Sequence, residues 1–150
     1  MLNQLLAEAV QVEKVSEPVA AGSTLIYTDG VELTDGAEGV MFIIGLGTVT
    51  TAPTLHAEQS ADNSSYADLE GSNVADIVDG DDDLLCVYDV KRSGADGDEW
   101  VRLAIDRTGG NVVIENAIAI VYGQKTNKPV TQGADVASTK LLHAPVEGTI

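Results

Sequence analysis

The chain has 150 residues, of which 44% are hydrophobic, and this length suits one domain with a substantial buried core. Its 24 acidic and 8 basic residues give a formal net charge of −16, which repels a phosphate backbone and argues against nucleic-acid binding. The single cysteine, Cys86, excludes an internal disulfide and a cysteine-rich zinc site. Because Cys86 lies within an apolar run, we interpret it as a small core residue.

Residues 1–22 are predicted to form an N-terminal arm. The segment MLNQLLAEAVQVEK allows one short amphipathic helical turn or an extended chain, and EPVAAG at residues 17–22 indicates a break before the folded domain. The segment has no basic start, so it does not resemble a secretory signal peptide. No apolar run approaches the roughly 18 residues of a membrane span, so we expect a soluble protein without a membrane partner.

Residues 23–123 are predicted to form one β-sandwich domain. Short apolar runs of β-prone residues alternate there with clusters of Gly, Asp, Asn and Ser, as expected for strands and turns. No long helical period separates the runs, which favours an all-β antiparallel sandwich or jelly roll over an α/β fold. We predict seven or eight strands, with runs at residues 23–27, 39–49, 54–60, 65–69, 83–92, 99–106 and 111–123.

The alternation of side chains in two runs predicts their place in the sandwich. In EWVRLAID, one set of alternate residues is apolar and should face the core, namely Val101, Leu103 and Ile105. The opposite set should face water or a partner, namely Trp100, Arg102 and Asp106. In DLLCVYDVKR both faces begin apolar, so we predict a central strand that becomes buried on one side near its end.

Residues 124–150 are predicted to form an extended C-terminal arm. The segment is polar and contains Pro129 and Pro145. Its small apolar group consists of Leu141, Leu142 and Val146. Such a group would fray in a monomer, so we expect it to dock on a neighbouring subunit in an assembly.

Candidate residues for chemistry are few. Ser60, His56 and Asp62 supply the side chains of a Ser-His-Asp arrangement but lack the elbow of a nucleophilic serine, so His56 is more simply a residue on the wet face of a strand. The acids Asp76 and Asp79 to Asp83 suit either an incidental calcium site or an acidic hairpin turn, and they do not match an EF-hand loop. We therefore assign no catalytic, cofactor-binding or metal-binding residue.

Three short patterns follow one another from residue 39 to the end of the chain. A strand ends in a Q-S-x-D-x-x-x-Y-x-D turn at residues 59–68, a W-V-R strand is followed by an aspartate at residues 100–106, and P-x-E-G-T stands at residues 145–149. In this order they resemble a family of small structural proteins of tailed bacteriophages, often interpreted as capsid decoration or cement proteins. Residues 39–150 carry the likeness, and residues 1–38 match only loosely.

The resemblance implies a non-enzymatic virion protein made in the cytoplasm of a bacterial host. Such a protein binds the expanded lattice of the major capsid protein and stabilises the head, as a homotrimer at local threefold axes. It needs no catalytic residue and no cofactor. The alternative is a phage tail, neck or head-fibre sandwich with a host-glycan-binding or head-completion role, for which Trp100 is the aromatic residue to test.

Overall fold

The computed structural model describes residues 5–73, 76–92, 99–125 and 129–140. Strands make up 47% of the described residues and helix 6%, so the predicted all-β class is confirmed. A short helix, α1, spans Leu6–Ala9, and a 3-10 turn spans Thr34–Gly36. The strands are β1 (Gln11–Ser16), β2 (Ile26–Tyr27), β3 (Val31–Glu32), β4 (Gly39–Thr51), β5 (Thr54–Ser60), β6 (Ala67–Asp68), β7 (Leu85–Lys91), β8 (Trp100–Asp106) and β9 (Asn111–Tyr122). No helix in these ranges is long and apolar enough to cross a membrane.

Two antiparallel sheets pack against each other as a sandwich. The four-stranded sheet has the order β1-β9-β4-β7. The five-stranded sheet has the order β2-β8-β5-β6, and β3 pairs with β8 beyond the end of β2. From β6 onward the chain changes sheet at every connection, and β7, β8 and β9 therefore alternate between the two sheets.

The core between the sheets consists mainly of aliphatic side chains around Phe42, which is fully buried. On β8, Val101, Leu103 and Ile105 are at most 4% exposed, and Arg102 lies on the opposite face. The alternation in EWVRLAID therefore predicted the inner and outer faces of this strand correctly, because a strand that is buried on one side must repeat every two residues.

The N-terminal segment contributes a strand to the sandwich, although the sequence predicted an arm over residues 1–22. Strand β1 pairs with β9, from Gln11 opposite Val121 to Ser16 opposite Ala117, and Val15 is 2% exposed. The register shifts between Lys14 and Ser16, and this bulge interrupts the alternation that identifies a strand in a sequence. The sandwich therefore has about nine strands rather than seven or eight.

Strand β7 lies at an edge of the four-stranded sheet, so the prediction of a central strand was wrong. One of the two faces that the sequence predicted to be apolar does pack against the core, through Cys86, Tyr88 and Val90. The other face is open to solvent, with Leu85 70% and Val87 58% exposed. Cys86 is half-buried, and this burial raises the pKa of its thiol, as expected for a packing residue.

Part of the C-terminal segment runs along the outer edge of β1. The Gln132 side chain accepts a hydrogen bond from the Val12 amide at 2.9 Å and donates to the carbonyls of Ala7 and Val10 at 2.8 and 2.9 Å. The Gly133 amide donates to the Val12 carbonyl at 3.2 Å. The apolar group expected to dock on a neighbour lies outside the described residues, as does the P-x-E-G-T pattern.

Candidate functional site

Asp62 organises the turn between β5 and β6. One oxygen of its carboxylate accepts hydrogen bonds from the Ser60 hydroxyl at 2.9 Å and from the amides of Ser64 and Ser65 at 2.9 and 2.8 Å. The Ser60 hydroxyl is thus directed to the turn and not toward His56. The Ser-His-Asp arrangement is not assembled, and the turn predicted at these residues is present.

The hydrogen bonds to Asp62 should make the stability of the fold depend on pH in the acidic range. They hold the pKa of its carboxyl well below the ordinary value of 3.8. A carboxyl with a lowered pKa in the folded state stabilises the fold above the unfolded-state value and loses that contribution as the pH falls. We expect Asp62→Asn to lose less stability than the wild type between about pH 5 and pH 2.

Urea denaturation at each pH measures this difference. The two proteins differ in this one carboxyl group, so the comparison isolates Asp62. Parallel pH profiles for the two proteins would show that the turn contributes nothing to acid sensitivity.

Two aspartates of the acidic run at residues 79–83 accept hydrogen bonds from backbone amides at the end of β4. Asp82 accepts a hydrogen bond from the Val49 amide at 2.6 Å, and Asp79 accepts one from the Ala52 amide at 2.8 Å. Carboxylates that accept amide hydrogen bonds in this way stabilise turns and strand ends. These contacts support a structural turn, although it is not a hairpin because β6 and β7, on either side of it, belong to different sheets. The calcium alternative is not tested by these contacts.

The outer surface of the four-stranded sheet is apolar across three strands. Ile43 on β4 lies directly between Val87 on β7 and Ile118 on β9. The neighbouring rows add Leu85 opposite Gly45 and Ile120 opposite Met41, with the same orientation. The six large apolar side chains at these positions of β4, β7 and β9 are partly or largely exposed, and we call them the apolar face: Met41, Ile43, Leu85, Val87, Ile118 and Ile120.

The outer surface of the five-stranded sheet is polar and aromatic instead. Its residues follow from the β5–β8 register, which places Glu58 opposite Arg102, His56 opposite Ala104 and Ser60 opposite Trp100. The two outer surfaces of the sandwich therefore differ in chemistry. Exposed apolar surfaces are often sites of contact with another molecule, which makes the apolar face a candidate interface.

Arg102 is the centre of this polar surface. Its guanidinium carbon lies 3.9 Å from the centroid of the Tyr27 ring and 3.8 Å from that of Tyr66, so the cation is held between two aromatic faces. Its Nε donates to Oε2 of Glu58 at 2.6 Å, and Glu58 is only 7% exposed. The two rings and the ion pair fix the orientation of both charged side chains.

His56 lies beside this ion pair. Its Nε2 is 3.7 Å from Oε1 of Glu58 and 3.4 Å from Oδ1 of Asp68. His56, Glu58 and Asp68 place one ligand atom each within 4.8 Å of one another, which is close enough to hold a metal ion. The sequence placed His56 on the wet face but missed the cluster. Glu58 shares that face by its spacing of two residues, whereas Asp68 joins only through the β5–β6 register.

Comparison with known proteins assigns no family to the chain. No protein-family model matches it, and no curated protein matches it either. The structural basis for a functional proposal is therefore the pair of outer sheet surfaces.

Proposed function

We propose that this chain is a virion structural protein of a tailed bacteriophage, a capsid decoration protein that binds the expanded lattice of the major capsid protein. Two kinds of evidence support the proposal. One is the ordered set of sequence patterns that resembles such proteins. The other, which carries the structural part of the proposal, is the apolar face on the four-stranded sheet.

The apolar face has the size and surroundings of an interface centre. The face spans three strands spaced about 4.8 Å apart and about five residues along each strand, with a rise of about 3.3 Å per residue. It therefore covers on the order of 250 Å² of sheet. A standard interface buries roughly 800 Å² on each partner, with an apolar centre and a polar rim. At the edges of the face, Asp89 lies opposite Met41, Lys14 lies opposite Ile118 and Lys91 lies opposite Gly39, so the rim carries charges of both signs.

The net charge of −16 favours a partner with a basic surface around its own apolar contact. Complementary charges accelerate encounter and exclude partners of the same sign. We therefore assign the apolar face to contact with the capsid lattice. A homotrimer at local threefold axes would strengthen binding further, because linked contacts act at a high effective concentration.

A matched pair of substitutions tests this assignment. Val87 on the apolar face and Val78 in the loop before β7 are both 58% exposed, so neither replacement should unfold the protein. Val78 lies near the far end of β4, where the Gly80 amide donates to the Val49 carbonyl. We expect Val87→Asp to weaken capsid binding at least about tenfold, because it places a charge in an apolar contact, and Val78→Asp to leave binding nearly unchanged.

The measurement is co-sedimentation of each protein with expanded capsids that lack it, with bound copies counted per shell. Saturation over the whole lattice in multiples of three supports decoration by trimers. Absence of binding by the wild type would contradict the proposed function. Equal losses for the two variants would instead remove the apolar face from the contact and leave the function to be judged from the wild type.

A second function is favoured by the aromatic residues of the other outer surface. Tyr27 is 44% exposed, and Trp100 lies on the same side of β8 as Arg102. Exposed aromatic rings beside carboxylates suit recognition of a sugar, as expected for a tail or head-fibre protein that binds host glycans. Copies confined to one ring or fibre, together with glycan binding lost in Trp100→Ala, would favour this alternative over decoration.

A further inference from the structure

We propose that His56, Glu58 and Asp68 bind a divalent transition-metal ion of the zinc type. The three residues supply one imidazole nitrogen and two carboxylate oxygens, which together form a common ligand set for such ions. The proposal concerns the polar outer surface and goes beyond capsid binding, which uses the opposite sheet.

The strand geometry brings the three side chains together without help from a flexible loop. His56 and Glu58 are two residues apart on β5, so both point outward from the same face. Asp68 lies directly opposite Glu58 in the β5–β6 pair. Directly opposed residues in an antiparallel pair have side chains about 5 Å apart, close enough for both carboxylates to reach one ion.

The distances suit ligation better than hydrogen bonding. With metal–ligand bonds of about 2.1 Å, tetrahedral ligands stand about 3.4 Å apart. The Nε2 atom of His56 lies 3.4 Å from Oδ1 of Asp68 and 3.7 Å from Oε1 of Glu58. Both distances are long for an N–H···O hydrogen bond, which is usually 2.7 to 3.2 Å. An ion between these atoms would satisfy all three.

Arg102 prepares Glu58 for this role. Its Nε donates a hydrogen bond to Oε2 of Glu58 at 2.6 Å, and Oε1 of Glu58 is directed toward His56. Tyr27 and Tyr66 hold the guanidinium from both sides. A hydrogen-bonded partner behind a ligating carboxylate is the usual means of orienting a metal ligand. Arg102 donates to Oε2 of Glu58, so Oε1 of the same carboxylate remains available to the cation.

The site has an open side. A cavity of about 300 Å³ adjoins it and is lined by His56, Asp68 and residues 69–73. Three protein ligands leave a fourth position for water or for an oxygen of a bound molecule, and the cavity supplies the space for it. Because its ligands come from both strands, the ion would also stabilise the pairing of β5 with β6, which is only two residues long.

Calorimetric titration of the full-length protein with Zn²⁺ tests the proposal. An excess of Mg²⁺ in the buffer occupies acidic groups that attract cations without specific geometry. We expect one Zn²⁺ per chain. Asp68→Asn should weaken binding roughly 10- to 100-fold, and because the Asp68 side chain is 76% exposed this change should not disturb folding.

Glu70→Gln is the matched control, since Glu70 lines the same cavity and its loss removes the same charge. We expect it to leave the Zn²⁺ affinity nearly unchanged. Nitrogen NMR of the histidine side chains gives a direct second readout, in which Zn²⁺ should shift the Nε2 resonance that is missing in His56→Gln. Equal losses in Asp68→Asn and Glu70→Gln, or a shift of the other histidine alone, would overturn the proposal.

Discussion

Replacement of Arg107 by methionine is expected to lower the free energy of unfolding by about 3–5 kcal/mol. Arg107 lies in the turn between β8 and β9 and is 3% exposed. Its guanidinium donates to the carbonyls of Ala20, Thr24 and Val112 at 2.9, 3.1 and 3.1 Å, and to the Thr24 hydroxyl at 3.2 Å. Methionine fills a similar volume but leaves these oxygens without donors.

The loss of stability should not be confined to the turn, because the hydrogen bonds of Arg107 connect the segment before β2 to the start of β9. Chemical denaturation of Arg107→Met and of Lys91→Met separates this effect from the change of charge, since Lys91 is exposed at the end of β7. We expect Lys91→Met to change stability by less than about 0.5 kcal/mol. Similar values for the two variants would show that the buried hydrogen bonds of Arg107 contribute little.

Replacement of Arg102 by leucine is expected to cost about 2–4 kcal/mol of stability. Glu58 is only 7% exposed, and the change deprives its carboxylate of the closest cation. It also removes the contacts of the guanidinium with the rings of Tyr27 and Tyr66. A buried charge that has lost its partner is unfavourable, whereas two apolar residues in place of a buried pair are usually tolerated.

A double-mutant cycle tests this reasoning. We expect Arg102→Leu combined with Glu58→Leu to recover at least half of the stability lost in Arg102→Leu alone. The free energies of unfolding of the wild type, the two single variants and the double variant give the coupling energy. If the losses of the two single variants simply add in the double variant, the coupling energy is zero and the unpaired charge of Glu58 does not explain the cost of Arg102→Leu.

The sequence predicted the class of fold and the inner face of β8, because both depend on local alternation. It did not predict the position of β7, since an apolar surface that is exposed on an edge strand has the same pattern as a surface buried in the fold. Leu85 and Val87 were therefore interpreted as signs of a central strand. Strand β1 was missed for the opposite reason, because its exposed Lys14 and the adjacent bulge obscure the buried Val15.

The candidate sites show the same limit. His56 was correctly placed on an outer face, and its neighbour Glu58 follows from the spacing along one strand. The position of Asp68 depends on the register of a hairpin, which the turn at Asp62 sets. Arg107 carries no sequence signal of its importance, because its partners are backbone oxygens from distant segments.

The C-terminal segment along β1 also limits how copies of this protein can polymerise. Gln132 and Gly133 occupy the backbone groups of Val12 that another strand would need. At the opposite edge, no described strand pairs with the outer side of β7. Growth of a continuous cross-molecular sheet requires two open edges in each copy, and one open edge ends the process at a pair. A sheet that continues from β7 of one copy to β1 of the next would therefore have to displace the C-terminal segment from Val12.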